Sequence, residues 1–342
     1  MIVHIFIDET GTFTGVGQPL SISMIGALIV PNARKRSLER EYGKLRKYLP
    51  IEKGEVKGKR LSESDIAKLM PILRHHDVIF EVAAIDLGIH TEEGIRRNQA
   101  ARAEGMTSSL TDKHHQSLID AIWKARRELE AYSLQLNIQS AVIFELIDRV
   151  IEHGTMYYSQ RRPEELANFH WVIDAKGDNS IPTPWETWWT IFIKPALQSK
   201  MARDPMRSIK IGDYSHMRRF EFDEISDFMK NLLKPKPDGP KPMNLGLVLS
   251  ESLRFSTAPE PGLELVDILT NATRRALRGN LQAEGWREIP SIMIARNPNT
   301  IQMLSLDTNI PESMKLPYGK TVMAFHKGAK SMLTAKNRKA DW

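Results

Sequence analysis

The stretch IFIDETGTFTGVG, residues 5–17, ends an apolar alternation on two adjacent acids. Val3, Ile5 and Ile7 alternate with His4 and Phe6, as on a strand with two distinct faces. Asp8 and Glu9 follow, then a loop with Gly11, Gly15 and Gly17 that leads into LSISMIGALIV (20–30). That second run is almost continuously apolar, the pattern of a strand buried on both faces. Taken alone, Asp8 and Glu9 read first as turn punctuation and second as ligands at the lip of a sheet. In a continuing strand they point to opposite faces, so only one of them, Asp8, can enter a site on one side.

Further along, Arg34 to Leu49 reads as a helix stopped by Pro50, and VIFEVAAID (78–86) as a strand with Val78, Phe80, Val82 and Ala84 on one face. Residues 111–154 show helical spacing consistent with a two-helix hairpin. FHWVIDAKGDNS (169–180) reads as a strand and turn carrying Asp174, Asp178 and Asn179, followed by a helix through PWETWWTIFIKPAL. SIKIGDY (208–214) is expected as a short strand, 218–233 as a helix, 234–242 as a proline-rich connector and MNLGLVLSESL (243–253) as a strand. GLELVDILTNATRRALRGN (262–280) reads as a helix ended by glycine, with Leu265, Ile268, Leu269, Ala272 and Ala276 as its apolar stripe. Glu264, Asp267, Asn271 and Arg274 form its polar side. The mixture predicts an α/β fold with a mixed sheet and helices on both faces. Residues 1–285 are expected as one domain, with 88–168 a largely helical insertion standing out from the sheet. Residues 286–342 are expected as a C-terminal extension with a basic tail.

The chain has 342 residues, 41% hydrophobic and 26% charged, and no cysteine, which excludes disulfides and thiolate metal sites. No secretory signal and no apolar run of membrane-spanning length is recognisable, so a cytoplasmic protein without a membrane partner is expected. The net charge of +6 is concentrated between Arg34 and Arg60 and again at Lys327, Lys330, Lys336, Arg338 and Lys339. Such stretches serve either as solvated faces or as contacts to a phosphate backbone.

Asp8, Asp174 and Asp267 belong to a strand end, a second strand end and a helix, and Glu55 lies in the Lys-rich loop EKGEVKGKR. Separated carboxylates that converge suit a hard divalent cation, which takes oxygen ligands and can activate water for phosphodiester cleavage. The adjacent pairs His75-His76 and His114-His115 lack the spacing that presents two imidazoles to one zinc, so no zinc site is expected. The glycines of GTFTGVG lack the lysine and helix of a nucleotide-binding loop.

Four segments together resemble a known family. IDETG (7–11) resembles the D-E-S-G opening of the domain-of-unknown-function family 3800, and GEVKG (54–58) its E-x-K segment. VIDAKGD (172–178) is similar to its mid-chain strand-ending aspartate, and GLELVDILTNA (262–272) to its closing helix. The resemblance implies a ribonuclease H-like fold and a metal-dependent nuclease. Asp8, Glu55, Asp174 and Asp267 would be catalytic, with Asp8, Asp174 and Asp267 holding Mg²⁺ or Mn²⁺ and nucleic acid, DNA or RNA, as partner. Glu9, Thr10, Lys57, Lys176 and Glu264 would support them. Thr10 replaces the family's usual serine and keeps the hydroxyl; Glu264 stands where glutamine is common and adds negative charge beside Asp267. The rivals are a non-catalytic nucleic-acid-binding protein on the same fold and a two-carboxylate glycosidase lined by Trp185, Trp188 and Trp189.

Overall fold

The computed structural model describes residues 1–108, 110–112, 114–177, 183–204, 206–222, 243–296, 300–307, 316–335 and 337. Asp178 and Asn179, the connector 234–242, most of the helix expected over 218–233, and tail residues Lys336, Arg338 and Lys339 lie outside them.

Strand β1 (Val3–Thr10) pairs antiparallel with β2 (Ile22–Pro31), whose ten residues are all buried. Helix α1 (Asn32–Arg46) follows, then a small hairpin of β3 (Ile51–Glu52) and β4 (Glu55–Val56) turned by Lys53 and Gly54, both at positive φ. Helix α2 (Glu63–His75) starts on a reciprocal Ser62–Asp65 cap and leads to β5 (Ile79–Asp86), antiparallel to β2. Helices α3 (Glu92–Thr107), α4 (Gln116–Ala131) and α5 (Leu134–Tyr158) come next. Strand β6 (Phe169–Asp174) then enters beside β1 in parallel, and a nearly unbroken helical stretch runs through α6 (Pro184–Thr187), a π-turn and α7 (Ile193–Arg203). After α8 (Leu245–Ser250), β7 (Leu253–Ser256) pairs in parallel with β6. Helix α9 (Pro261–Leu277), α10 (Ala283–Trp286), β8 (Gln302–Leu304) and α11 (Gly319–Gly328) complete the order. The sheet reads β7-β6-β1-β2-β5-β8. The chain is therefore a mixed α/β protein whose six-stranded sheet is flanked by helices.

Strand alternation divides the core. Ile5, Ile7, Ile25, Ala27, Ile29, Ile79 and Ile173 face a layer containing α5 and the buried Trp185, Trp188 and Trp189. Phe6, Met24, Leu28, Phe80, Val82 and Val172 face α1, α2 and α9. Packing of α9 on the sheet is close because Gly26 lies under it: a Cβ there would meet Thr270 Oγ1 at 2.1 Å and Phe80 at 2.9 Å. Gly26→Ala is expected to destabilise the fold by about 1–3 kcal/mol through overpacking. Urea unfolding checks it, with an unchanged midpoint speaking against the close packing.

Several expectations are corrected. Residues 208–214 form a turn, closed by Gly212 N–H to Ile209 O, and not a strand. The run 243–253 is mostly helix α8, because the Asn244 side chain caps the Leu247 amide; the strand begins only at Leu253. Helix α5 does not stand out from the sheet: Ile138, Val142, Leu146 and Val150 are buried in the core beneath it. Within 286–342, expected as an extension, β8 joins the sheet edge beside β5, and Val322 and Phe325 of α11 enter the core. No helix among the described residues is long and apolar enough to cross a membrane.

Candidate acidic site

Register brings the first two acids together. Ile7 of β1 is paired with Ile173 of β6 in parallel, so Asp8 and Asp174 follow side by side at the carboxyl ends of these strands. The crevice outside such strand ends is where open α/β sheets place ligands. Period-two alternation sends Phe6, Asp8 and Thr10 towards α9, and Glu9 towards α5, as the adjacent-acid argument requires. On α9 the polar side turns inward, not to solvent. Thr10 Oγ1 donates to Asn271 Oδ1 at 2.8 Å, and Asn271 Nδ2 donates to Asp267 Oδ1 at 2.6 Å. Asp267 Oδ2 accepts from the Gly58 amide at 2.7 Å.

The hairpin supplies the fourth acid. Glu55 and Lys57 form an ion pair and, with Asp8, Asp174, Glu264 and Asp267, line a narrow recess open to solvent. A second, smaller recess on the other side of the strand ends is lined by Asp8, Glu9, Asp174, Lys176 and Trp185. Lys176 Nζ lies 3.2 Å from Glu9 and 3.6 Å from Asp174. Gly58 is where the hairpin passes α9, and a Cβ there would meet the Ile268 Cα at 2.6 Å and the Asp267 carbonyl at 2.8 Å.

The electrostatics follow from this crowding. Burial, then Asp267 and Asp174, push the Asp8 carboxyl well above its ordinary range; burial also raises Asp174 and Asp267. Lys57 and Lys176 are shifted upward because their acidic neighbours outweigh the cost of burial. Three crowded carboxylates flanked by two lysines form a hard-oxygen donor set. Oxygen donors of this kind are those that hard divalent cations such as Mg²⁺ and Mn²⁺ take.

Glu264 is placed differently from expectation. It adds no free negative charge beside Asp267, because its Oε1 accepts from Arg46 Nη2 (2.7 Å) and the Val56 amide (3.1 Å). Its Oε2 accepts from Tyr42 Oη at 2.7 Å and Arg46 Nε at 2.8 Å. Glu264 thereby ties α1, the hairpin and α9 together. Glu9 is likewise spoken for, by Gln139 on α5 and by Lys176. Lys330 of the basic tail donates to Val78 O at 2.8 Å, and burial lowers it to about 8, so it is a packed residue, not a free phosphate contact. Asn271 and Gln139 were not singled out as positioning residues; for Asn271 the signal was there, one helical turn after Asp267 on the same polar side.

One histidine pair nevertheless lies beside an acid. Among the described residues, one set of three ligating side chains has its donor atoms all within 4.8 Å of one another, and it is Glu41, His75 and His76. The acids at the strand ends share a recess, and Asp8 and Asp267 are in hydrogen-bond contact, but among the described residues no three of these acids bring their oxygens that close together. Trp188 and Trp189 are packed in the core, 1% and 0% exposed, which removes these two as a sugar-binding wall; Trp185 stacks on Trp188 and borders the smaller recess.

The chain matches no protein-family model, no curated protein and no solved structure. The family resemblance therefore stays with the four motifs that carry it.

Proposed function

We propose that this protein is a divalent-metal-dependent phosphodiester hydrolase on a ribonuclease H-like sheet, acting on nucleic acid. The observation that carries the reading is the shared recess of Asp8, Glu55, Asp174 and Asp267, four acids from four separate elements, at the ends of parallel strands. The sheet supports the fold assignment: an antiparallel meander of β1, β2 and β5, with β6 and β7 then added in parallel beside β1.

In this reading Asp8, Asp174 and Asp267 would hold Mg²⁺ or Mn²⁺. When bound, the ion supplies an activated water and charge neutralisation at the phosphate. The chain's own groups do the rest. Asn271 and the Gly58 amide each engage one oxygen of Asp267 and so orient it towards Asp8, with which it also hydrogen-bonds. Glu55 lies at the recess wall, where it can orient a water, and Lys57 and Lys176 hold phosphate oxygens as point charges. Exposed Arg36, Arg40, Lys44, Lys47, Lys53 and Lys59 lead along α1 and the hairpin to the recess, a path for a polyanion's backbone.

End-labelled DNA and RNA oligonucleotides incubated with Mg²⁺ or Mn²⁺ test the reading. Chelator-sensitive cleavage is expected. Lys57→Ala should raise KM about tenfold more than it lowers kcat, since the lysine binds phosphate in the ground state. Salt-sensitive binding that ignores metal, with no cleavage, would instead favour the non-catalytic nucleic-acid-binding alternative.

A further inference from the structure

Helices α1 and α2 bring together a second donor set, chemically unlike the acids. Glu41 lies in α1, His75 is the last residue of α2, and His76 is its C-cap at φ −91°, ψ 7°. Two adjacent histidines in a continuing helix diverge by about 100°, which is why the sequence argues against them. The helix ends here, and the chain turns sharply through Asp77 at φ +55°. The two imidazoles therefore sit edge to face with ring centres 5.0 Å apart, and one donor atom from each meets a Glu41 oxygen within the 4.8 Å limit.

The decisive atom is His76 Nε2. His76 is 1% exposed, and this nitrogen is buried without a hydrogen-bond partner. Glu41 Oε2 stands 3.2 Å away, but off the direction in which an N–H would point. The other ring nitrogen is accounted for. Ser37 Oγ gives its proton to the Arg34 carbonyl at 2.9 Å, so at 3.3 Å from His76 Nδ1 it serves as an acceptor. In the neutral ring this places the proton on Nδ1 and turns the buried Nε2 lone pair towards a carboxylate. A lone pair facing a carboxylate is stabilised by a cation between them, and an oxygen lying off the N–H direction suits a metal ion better than a proton. An oxygen offset from the nitrogen's axis at this distance matches two ligands of one tetrahedral ion, about 3.3 Å apart at ordinary Zn–N and Zn–O lengths of about 2.0–2.1 Å.

We infer that Glu41, His75 and His76 form a Zn²⁺ site, distinct from the acidic recess, that clamps α1 to the end of α2. Two imidazoles and one carboxylate favour zinc-class ions over Mg²⁺, which prefers oxygen alone. Ser37 orients His76 from behind, as carbonyl and carboxylate partners do for other ligating histidines. Half-exposed Glu41 and exposed His75 leave one side open for a water as fourth ligand.

Zinc calorimetry on the full chain, stripped with chelator and then held in saturating Mg²⁺ so that the acids compete poorly, tests the site. Wild type and Asp8→Asn are both expected to bind one Zn²⁺ per chain and to melt at a higher temperature with it. His75→Ala and Glu41→Ala should each weaken binding at least tenfold, and Ser37→Ala by about 10–100-fold, the range for groups that orient a ligand. Co²⁺ in place of Zn²⁺ should show the visible absorption of a tetrahedral ion in wild type and lose it in Glu41→Ala. No stoichiometric Zn²⁺ binding in wild type, or binding unchanged in both His75→Ala and Glu41→Ala, overturns the assignment. Loss of Zn²⁺ binding in Asp8→Asn overturns it too, since the ion would then belong to the acids. Both ligand substitutions are at the surface, and either one alone decides if the other fails to fold.

Discussion

Asp8→Asn is expected to lower metal-dependent cleavage by on the order of 10³-fold, the loss typical of a group that stabilises charge in a water-poor site. The same variant should melt a few degrees higher than wild type when both are metal-free. These opposite effects share one cause. Asp8 is withdrawn from water and faces Asp267 and Asp174, so its folded-state carboxyl keeps a proton at a pH where the unfolded chain has lost it. Between the ordinary value of 3.8 and the raised folded value, the folded protein binds more protons than the unfolded one. The metal-free stability contributed by this group is therefore greatest at low pH and falls as pH rises through that window. Asparagine has no such window. The melting temperature of metal-free wild type should drop relative to Asp8→Asn from about pH 4 upward, and Mn²⁺ should restore it in wild type alone. Equal pH profiles for the two proteins would mean that Asp8 is not strained by its neighbours. Asp267→Asn should lose cleavage to the same degree, since it shares the recess.

Glu264→Ala is expected to be the most destabilising single change near the site, by about 2–5 kcal/mol, the cost of leaving its two buried donors unpaired. Four donors converge on this carboxylate, from Tyr42, Val56 and twice from Arg46. Truncation leaves a buried phenol and a buried amide unpaired and frees the arginine from α9. The hydrogen bonds from Arg46, Tyr42 and Val56 outweigh burial and hold Glu264 below the ordinary carboxyl range. Its contribution is thus present above that range and lost as pH falls through the lowered value. Urea unfolding at neutral pH checks the magnitude, and Glu264→Gln should fall between wild type and alanine. An alanine variant as stable as wild type would show that the hairpin is held by something else, and Glu55 and Lys57 with it.

How much of this was legible in the sequence depends on the range of the interaction. Alternation in 3–7 and the apolar run 20–30 reported β1 and β2, because a strand's faces are written locally. Alternation also separated Asp8 from Glu9 before any coordinates. The strand expected at 243–253 failed because Leu245, Val248 and Leu249 satisfy a helical spacing too, and the Asn244 cap decides between them. The polar side of α9 looked like a solvent face, since nothing within 262–280 shows that Gly58, Thr10 and the hairpin cover it. Glu264 was misjudged for the same reason: its partners lie more than 200 residues earlier. The adjacent His75 and His76 lack the i, i+4 spacing of a helical pair, and nothing local shows that the helix ends between them and that Glu41 lies beside both.

A crystal soaked in Mn²⁺ tests the central claim most directly, since manganese can be located by its own anomalous signal. The account predicts an ion in the recess, with oxygens of Asp8, Asp174 and Asp267 drawn in to about 2.0–2.2 Å and Asn271 still bonded to Asp267. A recess that takes no manganese, its carboxylates unmoved while the ion collects elsewhere, would contradict it.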